Sequence, residues 1–375
     1  MTRTAAVHNV PFDLGRIDRL TARFAEWAAD TFSTGGFPQR EMSALRKAGL
    51  LAVTLPGQPL DLRARHTPAL LHLLQRIGEG NLSVGRIYEG HVNALHLISQ
   101  YATPRQQERW FADARDGHLF GVWNTQMHDG VSMRMTAPQT VTLNGSKSFC
   151  SGSVHVTRPL ITGVRYDADG NDRGWQMAVV PLDKHRPAVD ESFWDTAGMR
   201  NSVSFKLDFT GIQLSDDDLL GGPGDYSRQP SFSGGAIRFA AVQLGGAAAI
   251  LQATRDHLQK TGRTDNAHQR TRVGQMAIAL RSGELWLRHA GQITDDPAAD
   301  PSLIIHTANM TRTAVADQCS TILQLAEKSL GAAGFLHPHP FARLRADLGM
   351  YLRQPAPDAV LEAVGQHLLH DHATE

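Results

Sequence analysis

Apolar residues recur every three or four positions through the first part of the chain. The segment RIDRLTARFAEWAADTF places apolar side chains on one face of a predicted helix, at Ile17, Leu20, Phe24 and Trp27. Two further stretches, REMSALRKAGL and ALLHLLQRIGEGNLSVGRIYEGHVNALHLISQYA, continue the pattern. TPRQQERWFADAR begins with a threonine N-cap, a first-turn proline and a glutamine three residues after the threonine. The pattern predicts a helical domain over residues 1–116.

The pattern changes to short strands near residue 117. The runs LFGVWNTQ, TAPQTVTLNGSKSFCSGS, PLITGVRYD, WQMAVVPL and SVSFKLDFTGIQL are rich in valine, threonine and aromatic residues. Turn signals separate the runs, for example Asn144-Gly145 and Asp169-Gly170. We therefore predict a strand-built middle domain over residues 117–222.

Helical spacing returns after the loop GGPGDYSRQPSFSGG. The segment GGAIRFAAVQLGGAAAILQATRDHLQ is apolar on nearly every face, which predicts a buried helix rather than a membrane span, since it contains Arg238 and Gln243. Amphipathic segments follow at about 267–293, 301–330 and 356–371. The C-terminal domain is thus predicted over residues 223–375. Strands segregated between two helical blocks indicate the α+β class.

Charge and cysteine content exclude several classes of partner. The 375 residues carry 37 Lys and Arg against 37 Asp and Glu, without a basic run interleaved with aromatics, so we expect neither nucleic acid nor an anionic membrane as a partner. The two cysteines fit a reducing compartment, and the N-terminal segment has no apolar signal core, so we expect a soluble cytoplasmic protein. The 18 histidines show no ligand spacing, and no metal site is expected.

Two stretches of the middle domain resemble the acyl-CoA dehydrogenase superfamily. FGVWNTQMHDGVS, residues 120–132, resembles the family's Thr-Glu-Pro-Gly-Ala-Gly-Ser loop, with Gln126 in place of the glutamate. LNGSKSFCSGSVHV, residues 143–156, resembles its Asn-Gly-x-Lys-x-Trp-Ile-Thr-Asn-Gly strand, and its Phe-Cys-Ser-Gly form looks closer to the monooxygenase branch. The resemblance implies a flavin ring bound by Trp123, Asn124, Thr125, Gly130, Phe149, Cys150 and Ser151. Ser151 matches the threonine that hydrogen-bonds near flavin N5.

The C-terminal part resembles the same superfamily. Arg238 matches an arginine near the family's active site. KTGRTDNAHQR resembles the family's Arg-x-x-Phe-Gly segment, which holds the FAD pyrophosphate, and Arg270 or Arg272 could serve in place of Arg263. EKSLGAAGFLHPHPFARLRADL resembles the family's Gln-x-x-Gly-Gly-x-Gly stretch, whose glycines approach the nucleotide of a neighbouring subunit. The resemblance implies a middle β-barrel or sandwich, a C-terminal four-helix bundle and a homo-oligomer, dimer or tetramer, formed through the C-terminal helices. It also implies FAD, with FMN less expected, shared between subunits and held there by Arg263, Lys328, Gly331 and Gly334.

The position of the family's catalytic base decides between reactions. Counting on from Tyr351, the dehydrogenase glutamate falls at Pro355, and the alternative base position of some relatives is Ile237. A dehydrogenase needs a carboxylate to take the α-proton of a thioester, and proline accepts no proton. The resemblance therefore favours oxygenation of a small molecule by reduced flavin, with a separate reductase or electron acceptor.

Two alternatives remain. One is dehydrogenation of an acyl thioester with a displaced carboxylate, Asp358 or Glu362. The other is a non-catalytic flavin-binding homologue. The candidate catalytic residues are Ser151, Arg238 and Asp358.

Overall fold

The structure is a computed structural model that describes residues 14–370. Five helices come first: α1 (Leu14–Thr34), α2 (Gln39–Lys47), α3 (Thr67–Gly80), α4 (Leu82–Tyr101) and α5 (Pro104–Arg115). The cap expected from the sequence forms at the start of α5, where Thr103 and Gln106 each bond the backbone N–H of the other.

Ten strands follow and form two sheets. They are β1 (Phe120–Trp123), β2 (Ser132–Ala137), β3 (Thr140–Asn144), β4 (Ser146–Cys150), β5 (Arg158–Tyr166), β6 (Asp172–Val179), β7 (Ala188–Asp190), β8 (Phe205–Asp208), β9 (Gln213–Ser215) and β10 (Leu219–Leu220). The larger sheet has the order β10-β6-β5-β2-β3-β9, and β1 also pairs with β5. The smaller sheet has the order β4-β8-β7. β1 and β2 both run parallel to β5 along different lengths of it, whereas the other named pairs are antiparallel.

The chain then returns to helices: α6 (Ser231–Gly234), α7 (Ala236–Lys260), α8 (Ala267–Asp295), α9 (Pro301–Leu330), α10 (Phe341–Tyr351) and α11 (Pro357–His370). The helical, strand-built and helical order confirms the predicted α+β class. Of the described helices, the one covering Ser231–Lys260 is long and apolar enough for a membrane span, but 78% of its apolar window is buried inside the fold. A core helix passes the same test.

The helices from the two ends of the chain pack directly on each other. A Cβ atom added at Gly78 of α3 would lie 2.4 Å from the carbonyl oxygen of Val242 in α7, and one at Gly245 would lie 2.1 Å from that of Gln75. Glycine is required at both positions because the two backbones are in contact. One hydrophobic core continues across this junction and does not separate the predicted domains. The predicted domain boundaries near residues 117 and 223 therefore stay predictions.

Candidate functional site

The loop after β1 and the end of β4 lie side by side. The indole N–H of Trp123 donates to the carbonyl of Ser151 at 3.0 Å, and the backbone N–H of Ser148 donates to the carbonyl of Thr125 at 3.0 Å. These bonds join two segments that the sequence separates by more than twenty residues. The structure thus brings together the predicted group Trp123, Asn124, Thr125, Phe149, Cys150 and Ser151.

A buried lysine holds this loop in place. Lys147 is fully buried, and its ammonium donates to the carbonyl of Asn124 at 2.9 Å, to Oε1 of Gln126 at 2.7 Å and to the hydroxyl of Thr162 at 3.1 Å. All three acceptors are neutral. Burial therefore lowers the pKa of Lys147 to about 7. Gly130 leaves room for Gln126, because a Cβ atom there would lie 2.1 Å from its amide nitrogen.

An uncovered aromatic surface lies next to this loop. Phe149 has the left-handed backbone angle φ 56° and keeps 42% of its surface exposed. Its ring lies edge-on to Phe193 at 5.1 Å and to Trp194 at 5.9 Å between centroids. We call Phe149, Phe193 and Trp194 the aromatic wall. Left-handed backbone in a bulky residue is strained, and such strain is concentrated at functional sites.

The aromatic wall fits a flavin ring. An isoalloxazine needs an apolar surface with polar groups at its edge. The carbonyl of Thr125 accepts from the backbone N–H of Ser148, and the backbone N–H of Ser151 donates to the carbonyl of Phe149, so both polar residues are held close to Phe149 in the chain. The β4 register shifts between Lys147 and Cys150, which turns Phe149 outward while Cys150 stays inside. The strand pattern alone did not indicate this irregularity.

A chain of three serine hydroxyls leads away from Ser151. Ser151 lies 2.9 Å from Ser204, Ser204 lies 2.8 Å from Ser202, and Ser202 donates to the carbonyl of Met199 at 2.8 Å, all measured from the hydroxyl oxygens. Each hydroxyl has one proton. Since Ser202 donates to a carbonyl, it accepts from Ser204, and Ser204 accepts from Ser151. The free lone pairs of Ser151 therefore accept, rather than donate, a further hydrogen bond.

Cys150 contributes structure rather than a reactive thiol. Its side chain is fully buried and donates to the carbonyl of Lys147 at 3.4 Å. Burial raises the pKa of the Cys150 thiol, so the group stays protonated. Only the backbone of Cys150 is therefore left for the predicted cofactor binding. Its carbonyl accepts a hydrogen bond from the hydroxyl of Ser153.

A polar face of α4 meets Arg238 of α7. Arg86 donates to Glu89 at 2.6 Å, Asn93 donates to the same carboxylate, and Arg238 donates through Nε to Asn93. The spacing of three and four residues places Arg86, Glu89 and Asn93 on one side of the helix. We call these four residues the arginine cluster. Burial lowers the pKa of Arg238 to about 10, and the charge of Glu89 opposes this shift.

The arginine cluster lies next to the residues that follow β4. A Cβ atom added at Gly152 would lie 3.5 Å from the side chain of Ile87, and Ser83 of α4 contacts the sulfur of Met199 at 4.0 Å. On its other side α4 packs on α7, where a Cβ at Gly85 would clash with Val242. The helix that carries the cluster therefore packs on α7 and on the segment that follows β4.

Three further polar side chains surround the cluster. Burial, and less strongly Glu89, raise the pKa of Tyr226 to about 12, although the nearby charge of Arg86 opposes the shift. Tyr351, at the end of α10, is also within range of Glu89 and Arg86, and its pKa is raised mainly by burial. Burial and the charge of Arg238 lower the pKa of His96 to about 3, so its imidazole is neutral.

A second predicted group lies elsewhere. Arg263 and Lys328 are exposed near the start of α8 and the end of α9, where Arg272 donates to the carbonyl of Lys328 at 3.2 Å. Gly331, with φ 58°, ends α9, and Gly334 packs so tightly that a Cβ would lie 2.9 Å from Leu330. Among the described residues, none of these four contacts the aromatic wall. Their role in binding a cofactor across subunits stays a prediction.

The junction of α10 and α11 presents a carbonyl rather than a carboxylate. Arg312 donates to the carbonyl of Pro355 at 2.9 Å. Asp358 and Glu362 are exposed on α11, which packs against α9. The predicted catalytic role of Asp358 stays a prediction, and its position gives that role no support.

Comparison with known proteins supports the resemblance. Residues 224–351 match the family model of the acyl-CoA dehydrogenase C-terminal domain. The dibenzothiophene monooxygenase of Rhodococcus qingshengii is 24% identical over 312 residues, which cover 77% of this chain and 74% of that protein. The resemblance to the acyl-CoA dehydrogenase superfamily is confirmed.

Further similarities are to flavin-dependent monooxygenases. The probable FMNH2-dependent monooxygenase of Pseudomonas putida is 22% identical over 277 residues, covering 72% of this chain and 68% of the relative. The FMN-bound dibenzothiophene monooxygenase of Paenibacillus sp. A11-2 superposes with a TM-score of 0.79 at 20% identity, covering 94% of this chain and 97% of that one. At this identity the superposition shows the fold.

Sequence reasoning missed most of the polar groups around the site. It identified Arg238 but not its partners Arg86, Glu89 and Asn93, although charged residues three apart in the apolar stretch LSVGRIYEGHVNALHLIS were a usable signal. Lys147 stood within a quoted motif without a role. The serines at 202 and 204 gave no signal, because their significance depends on the position of Ser151.

Proposed function

We propose that this protein is a flavin-dependent monooxygenase that oxygenates a small molecule with reduced flavin. The observation that carries the proposal is the α10–α11 junction, where the dehydrogenase base would stand. There the chain offers the carbonyl of Pro355, held by Arg312, while the aromatic wall and its polar neighbours are intact. The names of the monooxygenase relatives support the same reading.

The chain's own residues would bind and orient the cofactor. The aromatic wall would cover one face of the flavin ring. The loop held by Lys147 would place Thr125 at the edge of the ring, and Ser151 would accept a hydrogen bond from the ring. When bound and reduced, flavin supplies the two electrons with which one oxygen atom of O₂ enters the substrate and the other leaves as water. Buried Trp123 and the apolar core behind β4 would keep water out.

The form of the flavin and its source belong to the proposal. FAD is the expectation from the superfamily, whereas FMN and FMNH2 accompany the relatives. We favour FMN, supplied in reduced form by a separate flavin reductase. The substrate would diffuse in from solution. No electron-transfer group besides flavin would be needed in the protein.

Anaerobic titration with photoreduced FMN and FAD, followed by mixing with ¹⁸O₂ and candidate substrates, tests this function. We expect binding of at least one reduced flavin and one ¹⁸O atom in the product. Bleaching of bound oxidised flavin by an acyl thioester without O₂ would favour the dehydrogenase alternative instead. Failure to bind either flavin would favour the non-catalytic alternative.

A dehydrogenase would need a carboxylate that the site does not present freely. Asp358 and Glu362 are exposed on α11. Glu89 is buried in the arginine cluster, but it is held by both Arg86 and Asn93. Both bonds engage the carboxylate oxygens of Glu89, so this group is not free to approach an α-proton.

A further inference from the structure

The arginine cluster contains more positive than negative charge. Glu89 pairs with Arg86 at 2.6 Å, whereas Arg238 is bonded through Nε to the neutral side chain of Asn93. Among the described residues, Glu89 is the acidic group whose charge stabilises the charged form of Arg238, and it already pairs with Arg86. One carboxylate therefore faces two guanidinium groups. An uncompensated charge inside a protein is expensive unless a ligand supplies the counter-charge.

Open space borders the cluster. Arg86 is only partly buried, with 28% of its side-chain surface accessible. At the start of α7, a Cβ atom added to Gly234 would meet no atom within 4 Å, and one added to Gly235 would lie 3.4 Å from an Nη atom of Arg238. One Nη group of Arg238 thus lies against Gly235, and the neighbouring Gly234 borders open space.

The guanidinium of Arg238 is also held rigidly. Its Nε bonds Asn93, Asn93 bonds Glu89, and Glu89 bonds Arg86. This chain of bonds fixes the plane of the group and leaves its two Nη groups for a ligand. A fixed guanidinium fork matches the paired oxygens of an oxyanion, and two parallel hydrogen bonds give such a site its selectivity.

We propose that the substrate carries an anionic group, a carboxylate or a sulfur oxyanion, that binds the Nη groups of Arg238. The inference rests on the proposed function, in that the bound anion is taken to belong to the molecule that is oxygenated. The helix α4 that bonds Arg238 through Asn93 also borders Gly152 through Ile87, so an anion at Arg238 would lie across α4 from the segment that follows β4. The site selects for charge at one end of the substrate.

Calorimetric titration with benzoate and with its neutral isostere benzamide tests the inference. Both probes are titrated into the full chain with and without bound FMN. We expect wild-type protein to bind benzoate at least about tenfold more tightly than benzamide, the effect of one charge-assisted contact. Arg238→Met should abolish the preference and leave FMN affinity within about twofold.

Asn93→Asp supplies the counter-charge that Arg238 lacks and is the matched control. It keeps the size of the side chain and places a carboxylate on Arg238, although it removes the amide that donates to Glu89. We expect loss of benzoate preference, and circular dichroism checks that the variant is folded. Arg281→Met, which removes an exposed arginine of α8, should leave both affinities unchanged. A preference that survives Arg238→Met and Asn93→Asp, or equal affinities in wild type, would overturn the inference.

Two outcomes separate this inference from the proposed function. If Arg238→Met loses FMN rather than benzoate, the anion at Arg238 is the cofactor's own, and the substrate inference is wrong while the flavin proposal stands. If wild-type protein prefers benzoate but binds no flavin, the anion site stands and the monooxygenase proposal is wrong.

Discussion

At the scale of single residues, two exchanges distinguish this site from the superfamily pattern. Gln126 stands where the pattern has glutamate, and Pro355 stands where it has the base. The first leaves Lys147 buried among neutral acceptors. The second leaves a carbonyl at the α10–α11 junction. Both exchanges were visible in the sequence, but only the structure shows that the acceptors of Lys147 among residues 14–370 are all neutral.

Lys147 should make stability depend on pH. Its folded pKa of about 7 lies below its ordinary value of 10.5, so between these values the unfolded chain binds more protons and stability rises with pH. The slope is at most about 1.4 kcal/mol per pH unit, and the penalty is complete below pH of about 7. Urea unfolding across pH 6–10 should show that Gln126→Glu flattens this rise and stabilises the protein at low pH.

A substitution on the surface controls for the added charge. Gln58 is exposed in the loop between α2 and α3, and Gln58→Glu should keep the wild-type pH profile. A Gln126→Glu profile that rises as steeply as wild type would show that another group titrates.

The serine chain predicts a shift in the potential of bound flavin. Where Ser151 faces N5, as the superfamily resemblance implies, its accepting oxygen favours the reduced ring, which carries N5–H. Ser204→Ala removes the acceptor of the Ser151 proton, so Ser151 can then donate to the oxidised ring. We expect the midpoint potential of bound flavin to fall by about 10–30 mV, the equivalent of one neutral hydrogen bond.

Spectroelectrochemical titration of the flavin-loaded protein measures this shift. Ser282→Ala, on the exposed side of α8, should leave the potential unchanged. A potential that rises in Ser204→Ala would contradict the assigned direction of the hydrogen bonds.

At the scale of elements, glycine contacts set the distance between α3, α4 and α7. Gly78, Gly85 and Gly245 let these helices meet backbone to backbone, which places Arg238 against the polar face of α4. The sequence predicted α7 as a buried helix but not its partners. Helical periodicity tells which face is apolar, whereas it does not tell which helix covers that face.

Gly245→Ala should therefore destabilise the protein strongly. Its added methyl would lie 2.1 Å from the carbonyl oxygen of Gln75, a backbone atom of α3. The clash can be relieved only if the backbones of α3 and α7 move apart. We expect a loss of about 2 kcal/mol or more in the free energy of unfolding. Gly274→Ala on α8 is the matched control, because nothing lies within 4 Å and alanine should stabilise an exposed helix by about 0.5–1 kcal/mol. Equal effects of the two variants in urea unfolding would contradict the close contact.

At the scale of the whole molecule, the C-terminal helices carry an apolar outer surface. Ile278 and Leu285, two turns apart on α8, keep 69% and 51% of their surfaces exposed. Exposed apolar residues on one helix face favour the proposed homo-oligomer, since such a face is stabilised by burial. The resemblance implies that Arg263 and Lys328 hold a cofactor shared between the copies of such an assembly.

Charges on this face should dissociate the assembly. We expect Ile278→Arg with Leu285→Arg to convert the protein to a monomer, because buried unpaired arginines disfavour the interface. Light scattering after gel filtration measures the mass. Val189→Arg, on the exposed strand β7, should keep the wild-type mass. A monomeric wild-type protein, or an unchanged mass in the double variant, would show that these residues form no interface.

The sequence alone determined the order of helical and strand-built regions, the buried α7 and the strand that carries Phe149, because these follow from local periodicity and turn residues. The tertiary structure decided what surrounds them. Arg238 forms a hydrogen bond with Asn93, which lies far from it in the sequence, and Ser151 forms one with Ser204. Such contacts depend on how helices and sheets pack, and one residue of shift in β4 turned Phe149 outward. Local patterns contain no information on that packing, so the chemistry of the site emerges only in the folded chain.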